Sequence, residues 1–121
     1  MNGVAAPILA VEPADMADVM RPRRSVSVVM VVYMTGEALE QSLACALADP
    51  LVDELVVVDN GSTPKEAARL RAAAQQNPRV KLITGHGNIG FARGANLGAR
   101  AAQGGLLVFL NPDAFVQPGC I

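Results

Sequence analysis

The chain has 121 residues, 51% hydrophobic and 17% charged, with a formal net charge of −1, which suits one domain with a modest core and is too apolar for a disordered chain. A near-neutral balance leaves no nucleic-acid footprint, and 3% aromatics leave no stacking surface for single strands. Arg, Asp, Glu or Gly interrupts every apolar run before membrane-spanning length, no basic region precedes an N-terminal apolar block, and the distant Cys45 and Cys120 read as free thiols of a reducing compartment.

Residues 1–24 are Pro- and Ala-rich and weakly patterned, and read as an N-terminal extension or linker ahead of a domain over 25–121. Within them Ile8–Val11 suits a short strand, Asp15–Met20 a helical turn, and Arg21, Arg23 and Arg24 a solvated basic cluster around Pro22. Val26–Val32 is β-branched and almost wholly apolar, which predicts a buried parallel strand ending at Tyr33-Met34-Thr35-Gly36. Glu37–Ala48 follows with Leu39, Leu43 and Leu47 at helical spacing, and Asp49-Pro50 stops it.

Glu54–Val58 is the second buried strand, and Asp59-Asn60-Gly61-Ser62 reads as a turn after it. Thr63-Pro64-Lys65-Glu66 is a helix start, with Thr63 as N-cap, Pro64 in the first helical position and Glu66 closing a capping box. That helix runs to about Gln75, with Ala67, Leu70 and Ala74 inward, before Asn77-Pro78. Val80–Ile83 is a third, shorter strand. The loop Gly85–Gly90 and a helix over Phe91–Ala102 come next, with Gln103-Gly104-Gly105 capping the helix. Gly94 and Gly98 disfavour a helix interior, so they imply close packing on the sheet or on a ligand. Leu106–Leu110 then reads as a strand buried on both faces, halted by Pro112 between Asn111 and Asp113.

Three strand–helix units and a fourth strand predict an α/β, Rossmann-like parallel sheet with flanking helices and right-handed crossovers. Ligands of such sheets bind beyond the carboxyl ends of the strands. The unusual residues fall there: Tyr33, Asp59, the Gly-rich loop, then Asn111 and Asp113. The pattern points to a ligand site, and a carboxylate after a buried strand suits a hard cation such as Mg²⁺ or Mn²⁺. One reading of the site is a dinucleotide, because Gly85-His86-Gly87-Asn88-Ile89-Gly90 matches G-x-G-x-x-G and Asp113 follows. That motif follows the third strand rather than the first, and it leaves Asp59 unexplained. A phospho-receiver would need acidic residues directly after the first strand, and Tyr33-Met34-Thr35 has none.

Four segments in order carry a stronger pattern: Val26–Tyr33, Val56-Val-Val-Asp-Asn-Gly-Ser62, Gly87-Asn-Ile-Gly-Phe-Ala-Arg-Gly-Ala-Asn-Leu-Gly98 and Phe109-Leu-Asn-Pro-Asp113. Together they resemble family 2 glycosyltransferases, closest to the rhamnosyltransferase-like branch, which carries Asn-Pro-Asp where many relatives carry Asp-x-Asp. The resemblance implies a GT-A fold, a nucleotide-diphosphate sugar donor (UDP- or dTDP-linked), inverting transfer to an acceptor hydroxyl, and a divalent cation, Mg²⁺ or Mn²⁺. By position it implies that Tyr33 lies against the base and that Asp59 accepts from the base's ring N–H. Arg93 would sit near the base or diphosphate, with Asn88 and Asn96 shaping the loop or touching the nucleotide. Asn111 would face the ribose or the metal shell, and Asp113 would hold the metal. Three departures are visible: Met34 stands where Asn often follows the Tyr, Val31 and Val32 replace small polar residues of some relatives, and Asn111 is a weaker metal ligand than Asp.

The resemblance also places the general base and the acceptor site (for a saccharide or glycolipid) in a second half, after Ile121. His86, the sole histidine, reads as a loop residue rather than as that base. The expectation is therefore the donor-binding half of the domain, truncated after the fourth strand and inactive alone. Its apolar fourth strand would be partly uncovered, which favours a homo-oligomer. Many relatives build cell-surface polysaccharide at the cytoplasmic face of a membrane, which implies a cytoplasmic location. Two alternatives stay open: a non-catalytic nucleotide-binding or assembly module, and an NAD-binding domain using Gly85–Gly90.

Overall fold

The valine-rich segment forms strand β1, Val26–Tyr33, of which seven of eight residues are buried. Residues 25–121 are described in a computed structural model; the expected strand at Ile8–Val11, turn at Asp15–Met20 and cluster at Arg21–Arg24 lie outside the described residues. Beyond β1 the chain forms α1 (Ala38–Ala48), β2 (Val52–Gly61), α2 (Pro64–Gln76), β3 (Val80–Ile83), α3 (Phe91–Ala101) and β4 (Leu106–Phe109). All the pairings are parallel, in the order β3-β2-β1-β4.

Because side chains alternate along a strand, β1 and β2 supply two separate cores. On one face Val28, Met30, Val32, Leu55 and Val57 pack with Leu39 and Leu43 of α1 and Leu70 of α2. On the other, Val29, Val31, Val56 and Val58 pack with Ala95, Leu97 and Ala101 of α3. Right-handed crossovers explain this division. The first two steps move outward from β1 to β3 on one face. The third returns across β1 to β4, so its helix must lie on the opposite face.

Local chemistry fits this path. Thr63 Oγ1 accepts from Glu66 N at 3.2 Å and Glu66 Oε1 accepts from Thr63 N at 3.2 Å, so the expected capping box is present. Glu66 Oε2 also accepts from Gly36 N at 2.7 Å, tying the loop after β1 to the start of α2. The α3 glycines serve the sheet. A Cβ on Gly98 would stand 2.5 Å from Val29 Cγ1 and 3.0 Å from Val58 Cγ2.

Two expectations need correction. Leu106–Leu110 is not buried on both faces: β4 alternates half-buried and exposed residues, with Leu107 41% and Phe109 52% exposed. Among the described residues it is an edge strand paired only with β1, and α3 packs over β1 and β2 instead. An apolar run is the same in sequence whether its strand is central or at an edge. Second, Asp59, Asn60 and Gly61 are not a turn; they continue β2, with Asp59 beside Val32 and Gly61 beside Tyr33.

At the opposite, amino-terminal edge a buried carboxylate joins three strands and the α3–β4 turn. Glu54 accepts from Ser27 Oγ, Gln103 N and Lys81 Nζ, while Ser27 Oγ accepts from Gly104 N at 2.8 Å. Burial alone would raise the Glu54 carboxyl; the hydrogen bonds from Lys81, Ser27 and Gln103 N–H, with the Lys81 charge, outweigh it and hold it below its ordinary 4.5. A carboxyl depressed in the folded state stabilises fully above its unfolded pKa and loses that contribution as pH falls through the folded value.

Two outcomes follow for equilibrium denaturation. Glu54→Gln should cost about 1.5–3 kcal/mol at pH 7, the range for hydrogen bonds to a charged group, and the deficit should shrink as pH falls below 4.5. An undiminished deficit in acid would contradict the depressed carboxyl. Gly98→Ala should destabilise by about 1–3 kcal/mol through overpacking; a gain, as in an exposed helix, would show that α3 does not press on the sheet.

Candidate functional site

The carboxyl ends of the four parallel strands share one edge, and the chain reverses direction across the sheet between β1 and β4. A crevice is expected at such a reversal. Tyr33 closes β1 and is 55% exposed. Its ring lies on the backbone of Gly61, where a Cβ would stand 2.9 Å from ring carbons Cδ1 and Cε1. Met34 N donates to Gly61 O at 2.8 Å, holding Met34 in the left-handed region at φ +45°. Asn and Gly take that conformation more readily than Met does.

Asp59 is 8% exposed. Its Oδ1 accepts from Gly61 N at 3.0 Å and Ser62 Oγ at 2.7 Å. Its Oδ2 has only a 3.5 Å contact from Thr84 Oγ1, which leaves that oxygen the capacity to accept from a ligand. The neighbouring Asn60, read in sequence only as turn punctuation, is 3% exposed and reaches the Gly-rich loop: Nδ2 donates to Gly90 O at 3.0 Å and Oδ1 lies 3.1 Å from His86 Nε2. Asn88 shapes the same loop, its Oδ1 accepting from Gly90 N at 3.0 Å.

Arg93 and Asn96 are exposed on the first turns of α3. Spaced i, i+3, they share one side of the helix. The helix N-terminus adds partial positive charge there. Across β1, Asn111 and Asp113 are exposed in a turn after β4, where Ala114 N donates to Asn111 O at 3.1 Å. Leu110 N donates to Val29 O, so this turn runs beside the last residues of β1. The following segment crosses to α1, with Ser42 Oγ donating to Ala114 O at 2.9 Å.

The structure thus brings Tyr33, Asp59, Asn88, Asn111 and Asp113 to one edge, while Arg93 on the first turn of α3 and Asn96 a turn further on are exposed on the side of the helix away from its buried face. It does not gather Asp113 with other ligands: among the described residues no group of three or more His, Cys, Asp or Glu stands together to hold a metal. Cys45 and Cys120 are free thiols, as expected.

The family model described as Glycosyl transferase family 2 matches residues 27–121. The chain belongs to that family. An uncharacterized glycosyltransferase of Haemophilus influenzae is 33% identical over 92 residues, covering 75% of this chain and 37% of the relative. The N-acetylglucosaminyl-diphospho-decaprenol L-rhamnosyltransferase of Mycobacterium tuberculosis is 33% identical over 106 residues, covering 78% and 34%. Succinoglycan biosynthesis protein ExoU of Rhizobium meliloti is 30% identical over 94 residues, covering 78% and 28%. Among solved structures, the mannosyltransferase PcManGT from Pyrobaculum calidifontis, in complex with GDP-Man and Mn²⁺, superposes with a TM-score of 0.68 at 26% identity, over 77% of this chain and 28% of that one. The family 2 domain therefore has the expected Rossmann-like, GT-A sheet, and the chain spans 37% or less of the length of these relatives. Family membership removes the NAD reading: Gly85–Gly90 is the loop before α3, fastened by Asn60, not the first turn of a dinucleotide fold.

Proposed function

We propose that residues 25–121 bind the donor of a glycosyltransferase that moves a sugar from a UDP- or dTDP-sugar to an acceptor hydroxyl with inversion. The observation that carries this is Asp59 beside Tyr33: a buried carboxylate with one oxygen still available, next to an exposed ring, at the end of adjacent strands. A carboxylate oxygen complements the ring N–H of uracil or thymine, and an aromatic face supports a planar base. Arg93, on the first turn of α3, suits the diphosphate, and Asn96 is assigned to the nucleotide one turn further along the same side of the helix. Asn88 sets the loop's shape, and Asn111 faces the ribose or the metal shell.

Asp113 would hold a Mg²⁺ or Mn²⁺, whose chemistry is to offset the charge that gathers on the departing nucleoside diphosphate. Its donor set fits such a hard ion by type, with carboxylate and amide oxygens. By number it fits only an ion whose remaining ligands come from the diphosphate and water. PcManGT, bound to GDP-Man and Mn²⁺, supports pairing a nucleotide sugar with a cation.

Inverting displacement needs a base to take the acceptor's proton as the new bond forms opposite the leaving group. His86 does not suit that role, because its Nε2 is engaged by Asn60 Oδ1. The rhamnosyltransferase and succinoglycan relatives support a saccharide or glycolipid acceptor in polysaccharide biosynthesis, which we assign to the cytoplasmic face of a membrane. Among the described residues no helix is long and apolar enough to cross one.

Thermal denaturation with UDP, dTDP or GDP, each with Mn²⁺ or with EDTA, tests the donor site. At about 100 times its dissociation constant the true ligand stabilises by about 2.7 kcal/mol. UDP or dTDP should do so with Mn²⁺, and Asp113→Ala should abolish the metal-dependent part. No stabilisation by any nucleotide would overturn the reading, and a shift by GDP alone would overturn the assignment of the base.

The outer edge of β4, unpaired among the described residues, and the exposed Leu107, Phe109 and Phe115 support self-association of the chain. Light scattering should give the mass of at least two chains, lowered by Phe109→Lys. A monomer for the unaltered chain at micromolar concentration would contradict it.

A further inference from the structure

The Gly85–Gly90 loop carries three glycines with φ of +93°, +72° and +84°, each with open space where a side chain would stand. Such a loop loses much conformational freedom when it is fixed. Two of its residues are fixed by one buried side chain. Asn60 Nδ2 donates to Gly90 O, which also takes the first helical bond of α3 from Gly94 N at 3.1 Å. A carbonyl can only accept, so the amide orientation is set, and Asn60 Oδ1 must accept from His86 Nε2–H at 3.1 Å. The neutral Nε2–H tautomer and the imidazolium both donate at that atom.

Gly94 completes the arrangement. A Cβ there would stand 3.1 Å from Asn60 Nδ2 and 3.1 Å from Val31 Cγ1, so a bare backbone lets the amide pass beneath the first turn of α3. With the Asn60 side chain 3% exposed, both halves of its amide are spent on the loop and none on solvent.

We propose that Asn60 is a positioning residue for the donor site. Its amide latches both His86 and Gly90 to the end of β2, and so sets where Arg93 and Asn96 stand relative to Asp59. The inference rests on the donor-site reading above.

The test pairs calorimetric affinity for UDP or dTDP in Mn²⁺ with hydrogen exchange of the 85–91 amides. The proteins are the unaltered chain, His86→Ala, His86→Gln and Asn60→Ala. His86→Ala should weaken nucleotide binding about five-fold, the equivalent of one ordinary hydrogen bond, and speed exchange in the loop while β1 and β2 stay protected. His86→Gln, whose side-chain amide can donate to the same oxygen, should recover both. Asn60→Ala should lose more than His86→Ala; should it fail to fold, the half-buried His86 position still decides the matter. Unchanged affinity in His86→Ala would overturn the positioning role and leave the donor site standing, whether or not loop exchange rises. Absence of nucleotide binding in the unaltered chain would overturn the donor-site reading itself, and the positioning role with it.

Discussion

β1 must satisfy two conditions together: both edges paired and both faces covered. Its β-branched run leaves no polar side chain except Ser27 to meet water, and Ser27 is spent on Glu54 and Gly104. Each buried valine is worth about 1.5–3 kcal/mol as an upper estimate, so the strand is stable only in the middle of a sheet between two helix layers. A single chain achieves this by building outward on one side of β1 and then returning across it. Parallel pairing brings every strand-to-helix loop to one edge, and the reversal puts the ends of β1 and β4 side by side where a crevice is expected. Site and core therefore have one origin: the sheet's need to bury β1 places Tyr33 between Asp59 and Asp113.

The parts of this arrangement set by short-range chemistry could be read from the sequence. β1 and β2 are continuous β-branched runs, α1 has its leucines four apart, and α2 opens with a capping box that is complete within Thr63–Glu66. What could not be read depends on what lies beside an element. Leu106–Leu110 has the composition of a central strand, yet no strand among the described residues pairs with its outer edge. Asn60-Gly61 has turn chemistry, yet Asp59 and Gly61 pair with the end of β1 because Tyr33 and Met34 continue alongside them. Tertiary pairing overrode local preference there.

The candidate site divides the same way. Tyr33, Asp59, Asn111 and Asp113 are legible because they end apolar runs, where a parallel sheet presents its ligands. Asn60 is not. Its partners, His86 and Gly90, lie 26 and 30 residues away, and no periodicity links them. The available signal was the pair of glycines in α3: a helix that tolerates Gly94 and Gly98 needs something close beneath it, and for Gly94 that includes the Asn60 amide. Met34 is the reverse case. Resemblance marks it as standing where Asn is common, and its φ of +45° supplies the reason, since the bond to Gly61 O fixes a left-handed residue at the mouth of the site. A non-glycine residue in that region costs on the order of 1 kcal/mol, which the closure of β1 onto β2 must offset.

On the donor-site reading, Asp113 needs no further acidic ligands from the protein. A dedicated cation cage needs several oxygen ligands from the protein, whereas Mg²⁺-type ions at phosphate-transfer sites use one or two carboxylates and complete their shell with substrate oxygens and water. Asp113 and Asn111, both exposed, would be a set of the second kind. On the donor-site reading, such a set leaves the ion weakly held until a diphosphate arrives. By linkage the diphosphate then gains from the ion the same factor that the ion gains from it. Asn in place of a second carboxylate lowers the charge the protein contributes and deepens that dependence. On that reading the latch at Asn60 would fix where the diphosphate meets α3, and the turn at Asn111–Asp113, on the other side of β1, would fix what ion it meets beside β4.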